Sequence, residues 1–203
     1  MKVAKAVIFD YGVGNLLSLK TALNKVGLEA LIGTSAKELW NADAIALPGV
    51  GAFTVAAAKL NAIKDTLVDK VEDGAPLLGV CLGLQLFFEE SEEGPGNGLA
   101  LFKGKTVSLP HTVKVPHMGW NTLNIIGQNE LFDGVAENSY VYFVHSLYPV
   151  PSDKSIVAAR TEYGTVFTSA VACKNVYGTQ FHPEKSGDLG SKILKNFAKA
   201  VVR

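Results

Sequence analysis

The sequence predicts an α/β fold, a three-layer α/β/α sandwich whose central sheet is mostly parallel and carries an antiparallel extension. Three features point there. Short apolar runs alternate with helix-spaced segments across residues 6–90, β-rich runs separated by turn residues fill the middle, and a last strand and an amphipathic helix close the chain. Alternation of this kind implies parallel βαβ units with right-handed crossovers, which place helices on both faces of one sheet.

Each element has its own signal. Ala6–Phe9 is an unbroken apolar run and reads as a buried strand. Leu16–Val26 has helical spacing that stops at Gly27, and Glu29–Ile32 is a short second strand. Ser35-Ala36-Lys37-Glu38 matches a capping box at a helix start. Ala44–Leu47 is a third strand, followed by a Gly-rich turn and a helical stretch, Val55–Val71, that Asp73-Gly74 ends. Leu77–Val80 is a fourth strand leading into a helix over Leu82–Glu90. The β-rich runs are Thr106–Leu109, Thr122–Ile126, Tyr140–His145, Ile156–Thr161 and Val166–Ala172, read together as the antiparallel extension. Val176–Phe181 is the last strand. Ile193, Leu194, Phe197, Ala198 and Val201 then form one helical face opposite Lys192, Lys195, Lys199 and Arg203.

Composition narrows the function. The 203 residues are expected to form one domain, 1–203, and 19 basic against 19 acidic side chains give no electrostatic support for nucleic-acid or polybasic membrane binding. The longest uncharged stretches are shorter than the roughly 20 residues a spanning helix needs, and the apolar N-terminal run is too short for a signal peptide. Two cysteines exclude a disulfide scaffold and suit a reducing cytoplasm. The four histidines (111, 117, 145 and 182) are scattered without metal-ligand spacing, so no metal and no organic cofactor is expected. Gly12-Val13-Gly14 follows the first strand, but Leu17 stands where a dinucleotide fingerprint needs its third glycine.

The sharpest chemical feature is Gly79-Val80-Cys81-Leu82-Gly83 at a strand-to-helix junction, a nucleophile elbow with Cys in place of Ser. So tight a turn strains the central residue, and the flanking glycines avoid side-chain collisions. The thiol is thereby presented at the carboxyl end of the sheet, where a helix start favours its anion and the Leu82 N–H can meet a developing oxyanion. The alternative is a small buried hydrophobe, the reading that suits Cys173. His182-Pro183-Glu184 follows the last strand: Pro183 favours an extended backbone in which His182 and Glu184 face the same way, as a base and its orienting group would. Alone, that triplet is equally a surface ion pair on a turn. Pro48-Gly49-Val50-Gly51-Ala52-Phe53 is a third segment on the same sheet edge, with backbone N–H groups able to complete an oxyanion hole at Gly49 and Val50, or simply an ordinary turn.

In this order the three segments resemble the class I (triad) glutamine amidotransferases, with their P-G-x-G, G-x-C-x-G-x-Q and late H-P-E. The resemblance implies a class I amidotransferase-like fold with Cys81 as nucleophile, His182 as acid/base and Glu184 as its orienter, acting on glutamine through a glutamyl thioester. It further implies substrate binding by Gly51, Gln85, Glu93, His145, Ser146 and Leu147. The residues themselves leave open that Gln85 packs on its helix, that Glu93 belongs to a solvated acidic run and that His145 is an exposed strand end.

Gly12-Val13-Gly14-Asn15-Leu16, Val115-Pro116-His117-Met118-Gly119-Trp120-Asn121, Tyr142-Phe143-Val144-His145-Ser146 and Phe181–Ser186 together resemble the glutaminase subunits of imidazole glycerol phosphate synthase. That resemblance implies a heterodimer with a (β/α)8-barrel cyclase subunit, which takes the ammonia for histidine biosynthesis. Asn15, Pro116, His117, Met118, Gly119, Trp120, Tyr142 and Lys185 fall at positions used near the interface. Met and Trp on an exposed loop suit a partner surface, although Trp120 also suits a core. Leu17 departs from the Arg common in relatives, Leu147 from an aromatic, and His111 is assigned to a loop. The rivals are a glutaminase subunit of anthranilate or aminodeoxychorismate synthase, a stand-alone hydrolase of γ-glutamyl substrates, and a non-catalytic interaction module.

Overall fold

Apolar runs four or five residues long become parallel strands, as their length and flanking turns dictate. In the computed structural model, which describes residues 3–12 and 14–202, they are β1 (Lys5–Phe9), β2 (Glu29–Gly33), β3 (Ala44–Leu47) and β4 (Leu77–Val80). Met1, Lys2, Val13 and Arg203, which belong to the N-terminal run, the Gly12–Leu16 motif and the last helical face, lie outside the described residues. Helix α1 (Leu16–Lys25) begins where the Asn15 side chain accepts from the Ser18 N–H. Helix α2 (Ala36–Trp40) begins in the expected capping box, with the Glu38 carboxylate accepting from the Thr34 and Ser35 N–H groups.

Two expected helices come out shorter. The stretch read as one helix over Val55–Val71 is two, α3 (Phe53–Asn61) and α4 (Lys64–Glu72). Ile63 leaves helical geometry at φ −123° and buries its side chain in the core between them. The helix expected over Leu82–Glu90 is only α5 (Leu82–Gln85). Tertiary bonds override local propensity there, because the carbonyls of Leu86, Phe87 and Glu89 accept from Leu99, Phe102 and Gly98.

The remaining strands are β5 (Glu90–Ser91), β6 (Gly104–Ser108), β7 (His117–Thr122), β8 (Asn124–Ile125), β9 (Tyr140–His145), β10 (Leu147–Pro151), β11 (Val157–Glu162), β12 (Val166–Cys173) and β13 (Val176–Thr179), before α6 (Gly187–Val201). The central sheet runs β2-β1-β3-β4-β13-β12-β11-β8. Its first five strands are parallel and the last three antiparallel. Residues of β1 alternate between its faces: Ala6 and Ile8 pack with Leu19, Leu23, Ile193 and Phe197, while Val7 and Phe9 pack with Leu39, Phe53, Leu60 and Leu67. The result is the three-layer sandwich expected from the sequence.

The antiparallel part is more divided than the sequence suggests. Thr106–Leu109 and Tyr140–His145 do not extend the central sheet. They belong to two small sheets, β10-β6-β5 and β7-β9. Both small sheets reach the carboxyl end of β4, so β9 and β10 become walls of the site described next. Among the described residues, no helix is long and apolar enough to cross a membrane.

Candidate active site

Strand β4 delivers Cys81 to the sheet edge, and the backbone must turn at once into α5. Cys81 therefore sits at φ +52°, ψ −103°, the strained conformation expected of an elbow. Two bonds hold it there: its N–H donates to the Thr179 carbonyl at 2.7 Å and its carbonyl accepts from the Gln85 N–H at 3.1 Å. A Cβ on Gly83 would overlap the Leu47 carbonyl, and one on Gly49 would overlap the Val80 carbonyl and the Leu82 nitrogen. The 48–51 segment consequently lies directly against the elbow. Because α5 has only one turn, its dipole gives the thiol less support than the longer helix expected from sequence.

The histidine follows the neighbouring strand β13, three residues beyond its end at Thr179. Its N–H donates to the Tyr142 carbonyl of β9 at 2.9 Å, and its carbonyl accepts from Ser186 Oγ at 2.7 Å. His182 itself is extended, but Pro183 opens a single 3-10 turn, so Glu184 meets the ring through that turn and not along a strand. His182 Nδ1 lies 2.8 Å from Glu184 Oε1, both side chains being almost wholly buried. That contact fixes the proton on Nδ1 and leaves Nε2, buried and without a hydrogen-bond partner among the described residues, for Cys81. Burial alone lowers the imidazole pKa, but the neighbouring Cys81 and Glu184 outweigh it and raise the value to about 9.

The thiol points into a cleft of about 290 Å³ lined by Val50, Gly51, Leu82, Gln85, Glu93, Pro116 and residues 144–147. A larger groove of about 580 Å³ beneath residues 125–135 and α6 holds neither cysteine nor histidine, so chemistry and not size singles out the cleft at Cys81. Cys81 Sγ is 3.6 Å from the Val144 carbonyl and accepts from Gln180 Nε2 at 3.3 Å. Gln85 is buried and donates from Nε2 to the Leu147 carbonyl and to Gln180 Oε1, both at 3.1 Å. Glu93 accepts from the Phe53 N–H at 2.6 Å, which ties the acidic run to the start of α3 just beyond the 48–51 segment. Ser146 lends its carbonyl to the Leu109 N–H.

His145 is buried, not an exposed strand end, with Nδ1 2.8 Å from the Leu147 carbonyl and Nε2 3.0 Å from His117 Nδ1. Burial lowers its pKa to about 3 and that of His117 to about 4, so both rings are neutral. His117 corrects the loop expectation. It lies in β7, stacked between Phe143 and Tyr163, and its ring does not reach the outer surface. Met118 and Trp120 of the same strand do, at 63% and 56% exposure. Trp120 meets Tyr142 edge-on at 5.9 Å and Lys185 Nζ lies 6.0 Å from that ring. Asn15 and Pro116 are exposed, and Gly119 takes φ +138° between Met118 and Trp120.

Two residues at the site escape the sequence reading. Gln180 lies just beyond β13, which ends at Thr179 and not at Phe181 as expected, and its only sequence signal is that it stands two residues before His182. The hydroxyl of Tyr11 is buried without a partner among the described residues; burial first and the Cys81 charge second hold its pKa well above 10.0. Among the described residues, no group of three or more His, Cys, Asp or Glu side chains is placed to hold a metal ion. The close approach of the 48–51 segment makes one expectation specific. Gly49→Ala is expected to push that segment off the elbow and to lower stability by about 1–3 kcal/mol, the usual cost of overpacking a close contact, measured by chemical denaturation followed by circular dichroism.

Comparison with known proteins agrees with this geometry. Residues 7–201 match the family model described as glutamine amidotransferase class-I. The subunit HisH of imidazole glycerol phosphate synthase from Methanothermobacter thermautotrophicus is 49% identical over 195 residues, covering 96% of this chain and 98% of that protein. Its counterpart from Pyrococcus furiosus is 46% identical over 197 residues, with 96% and 98% covered. Among solved structures, a putative GMP synthase subunit from Thermoplasma acidophilum superposes with TM-score 0.74 at 21% identity, covering 100% of this chain and 96% of that one, a likeness of fold. Taken with the elbow and the buried His–Glu pair, these matches show that the chain belongs to the class-I glutamine amidotransferases and, within them, to the family of imidazole glycerol phosphate synthase HisH subunits.

Proposed function

We propose that this chain, acting as one domain over 1–203, hydrolyses the side-chain amide of glutamine at Cys81 and delivers the ammonia to a barrel-shaped synthase subunit. The observation that carries the reading is the thiol on a strained elbow, beside a His182–Glu184 pair held at 2.8 Å, in a cleft that also contains Gln85 and Glu93. Transfer of the thiol proton to His182 Nε2, which the ring's pKa of about 9 favours, gives a charged imidazole and frees the sulfur to attack the amide carbon. The tetrahedral oxyanion falls to the Leu82 N–H and a backbone N–H of Gly49 or Val50. Collapse expels ammonia, which carries off the proton from His182, and leaves a glutamyl thioester. Water that loses its proton to His182 then hydrolyses the thioester to glutamate. Gln85 turns its free carbonyl oxygen towards the substrate, Glu93 takes the substrate's amino group, and Gly51 with residues 145–147 holds it through backbone groups.

Partner docking is supported by an outward-facing apolar patch beside this cleft. Met118, Trp120 and Tyr140 are each more than half exposed, and Tyr142 and Lys185 adjoin them. Strand β9 joins that patch to the chemistry, since Tyr142 bonds both His182 and Ser186. The partner is a (β/α)8-barrel cyclase forming a heterodimer with this chain, and the setting is the cytoplasm. Glutamate release is expected to be weak from the chain alone and to rise at least about tenfold when a liganded barrel subunit of imidazole glycerol phosphate synthase is added, the scale of a 1–3 kcal/mol coupling. Equal rates with and without that subunit would instead favour a stand-alone hydrolase.

A further inference from the structure

A buried side-chain amide stands between two groups of the site, and the mechanism above gives it no work. Gln180 is fully buried, and its backbone N–H is engaged by the Ser169 carbonyl at 2.8 Å. Its side chain faces two ways. Nε2 donates to Cys81 Sγ at 3.3 Å, and Oε1 accepts from Gln85 Nε2 at 3.1 Å. Since an amide has one donor end and one acceptor end, these bonds fix which end points where. The second Gln85 hydrogen goes to the Leu147 carbonyl, which also accepts from His145. Both Gln85 donors are thereby occupied, so only its acceptor oxygen is left to face the cleft.

We propose that Gln180 is a second polar support of the reacting sulfur and, through Gln85, a positioning residue for the substrate. The proposal rests on the reading of Cys81 as nucleophile. Its physical basis is that an N–H donor aimed at sulfur inside a buried site stabilises the anion more than the neutral thiol. The short helix α5 leaves this contribution all the more needed. Through Gln85 the same residue dictates that the cleft offers an acceptor, which suits a substrate carrying N–H donors. An apolar side chain of similar length at 180 removes both effects and leaves the core filled.

The test compares the unsubstituted chain with Gln180→Met in the presence of the barrel subunit. At neutral pH the rate of Cys81 alkylation by iodoacetamide, read on the Cys81 peptide by mass spectrometry, is expected to fall about tenfold, the size of one charge-assisted hydrogen bond. The two rates are expected to converge at alkaline pH, where every thiol is ionised. The KM for glutamine is expected to rise as well. Identical alkylation profiles and identical KM would overturn the proposal. If Gln180→Met does not fold, the unsubstituted protein still decides. Its Gln180 side-chain N–H resonances should shift over the pH range in which Cys81 becomes reactive, and unshifted resonances would overturn the proposal. Alkylation and resonance shifts need no turnover, so failure of glutamine hydrolysis in the unsubstituted complex refutes the glutaminase reading separately.

Discussion

Cys81→Ala is expected to lower glutamate release from glutamine by at least about 10⁴-fold, because removing a nucleophile ends the covalent route and leaves only binding and oxyanion stabilisation. The variant should fold. The side chain is small and buried, and the bonds that hold the elbow run through the backbone to Thr179 and Gln85. Alanine at a positive φ is strained no more than cysteine is. Glutamine binding should survive, since Gln85 and Glu93 keep their partners. The check is a coupled glutamate assay in the presence of the barrel subunit, beside calorimetric binding of glutamine. Cys173, half-buried at the end of β12, makes no side-chain hydrogen bond among the described residues and is not expected to substitute.

His182→Asn is expected to cost about 10³-fold or more in kcat, and the double variant with Cys81→Ala should be no worse than Cys81→Ala alone, because the two groups act as a unit. The pH behaviour is a sharper signature. The folded-state pKa of about 9 exceeds the ordinary 6.5, so the charged ring stabilises the fold. That contribution, up to about 3 kcal/mol, is present in full below pH 6.5 and is lost as pH rises through 9. Titration of the His182 ring by NMR should show its midpoint near 9 in the unsubstituted chain. In Cys81→Ala, with the sulfur gone, the midpoint should move down.

Most of the parallel half was legible because β1, β3 and β4 are buried on both faces and read as short apolar runs bounded by turn residues. The elbow and the His-Pro-Glu triplet were legible because their residue types and spacing are demanded by sterics and acid–base chemistry together. Strand β7 was hidden for the opposite reason. It turns His117 inwards and Met118 and Trp120 outwards, reversing the usual polarity of a half-buried strand. In β10, Pro149 and Pro151 obscure a strand that lies at the end of a three-stranded sheet. Gln180 was missed because its importance lies in long-range bonds to Cys81 and Gln85, nearly a hundred residues away in sequence. The break at Ile63 and the early end of α5 are likewise tertiary, set by core burial and by carbonyls bonded to residues 98–102.

Turnover is expected to carry glutamine through a covalent bond to Cys81. The most direct measurement is mass spectrometry of the complex quenched in acid during glutamine turnover. The expected result is a glutamyl adduct confined to the peptide that contains Cys81, absent from Cys81→Ala. Rapid glutamate release with no adduct at Cys81, or with the adduct on Cys173, would rule out Cys81 as the nucleophile.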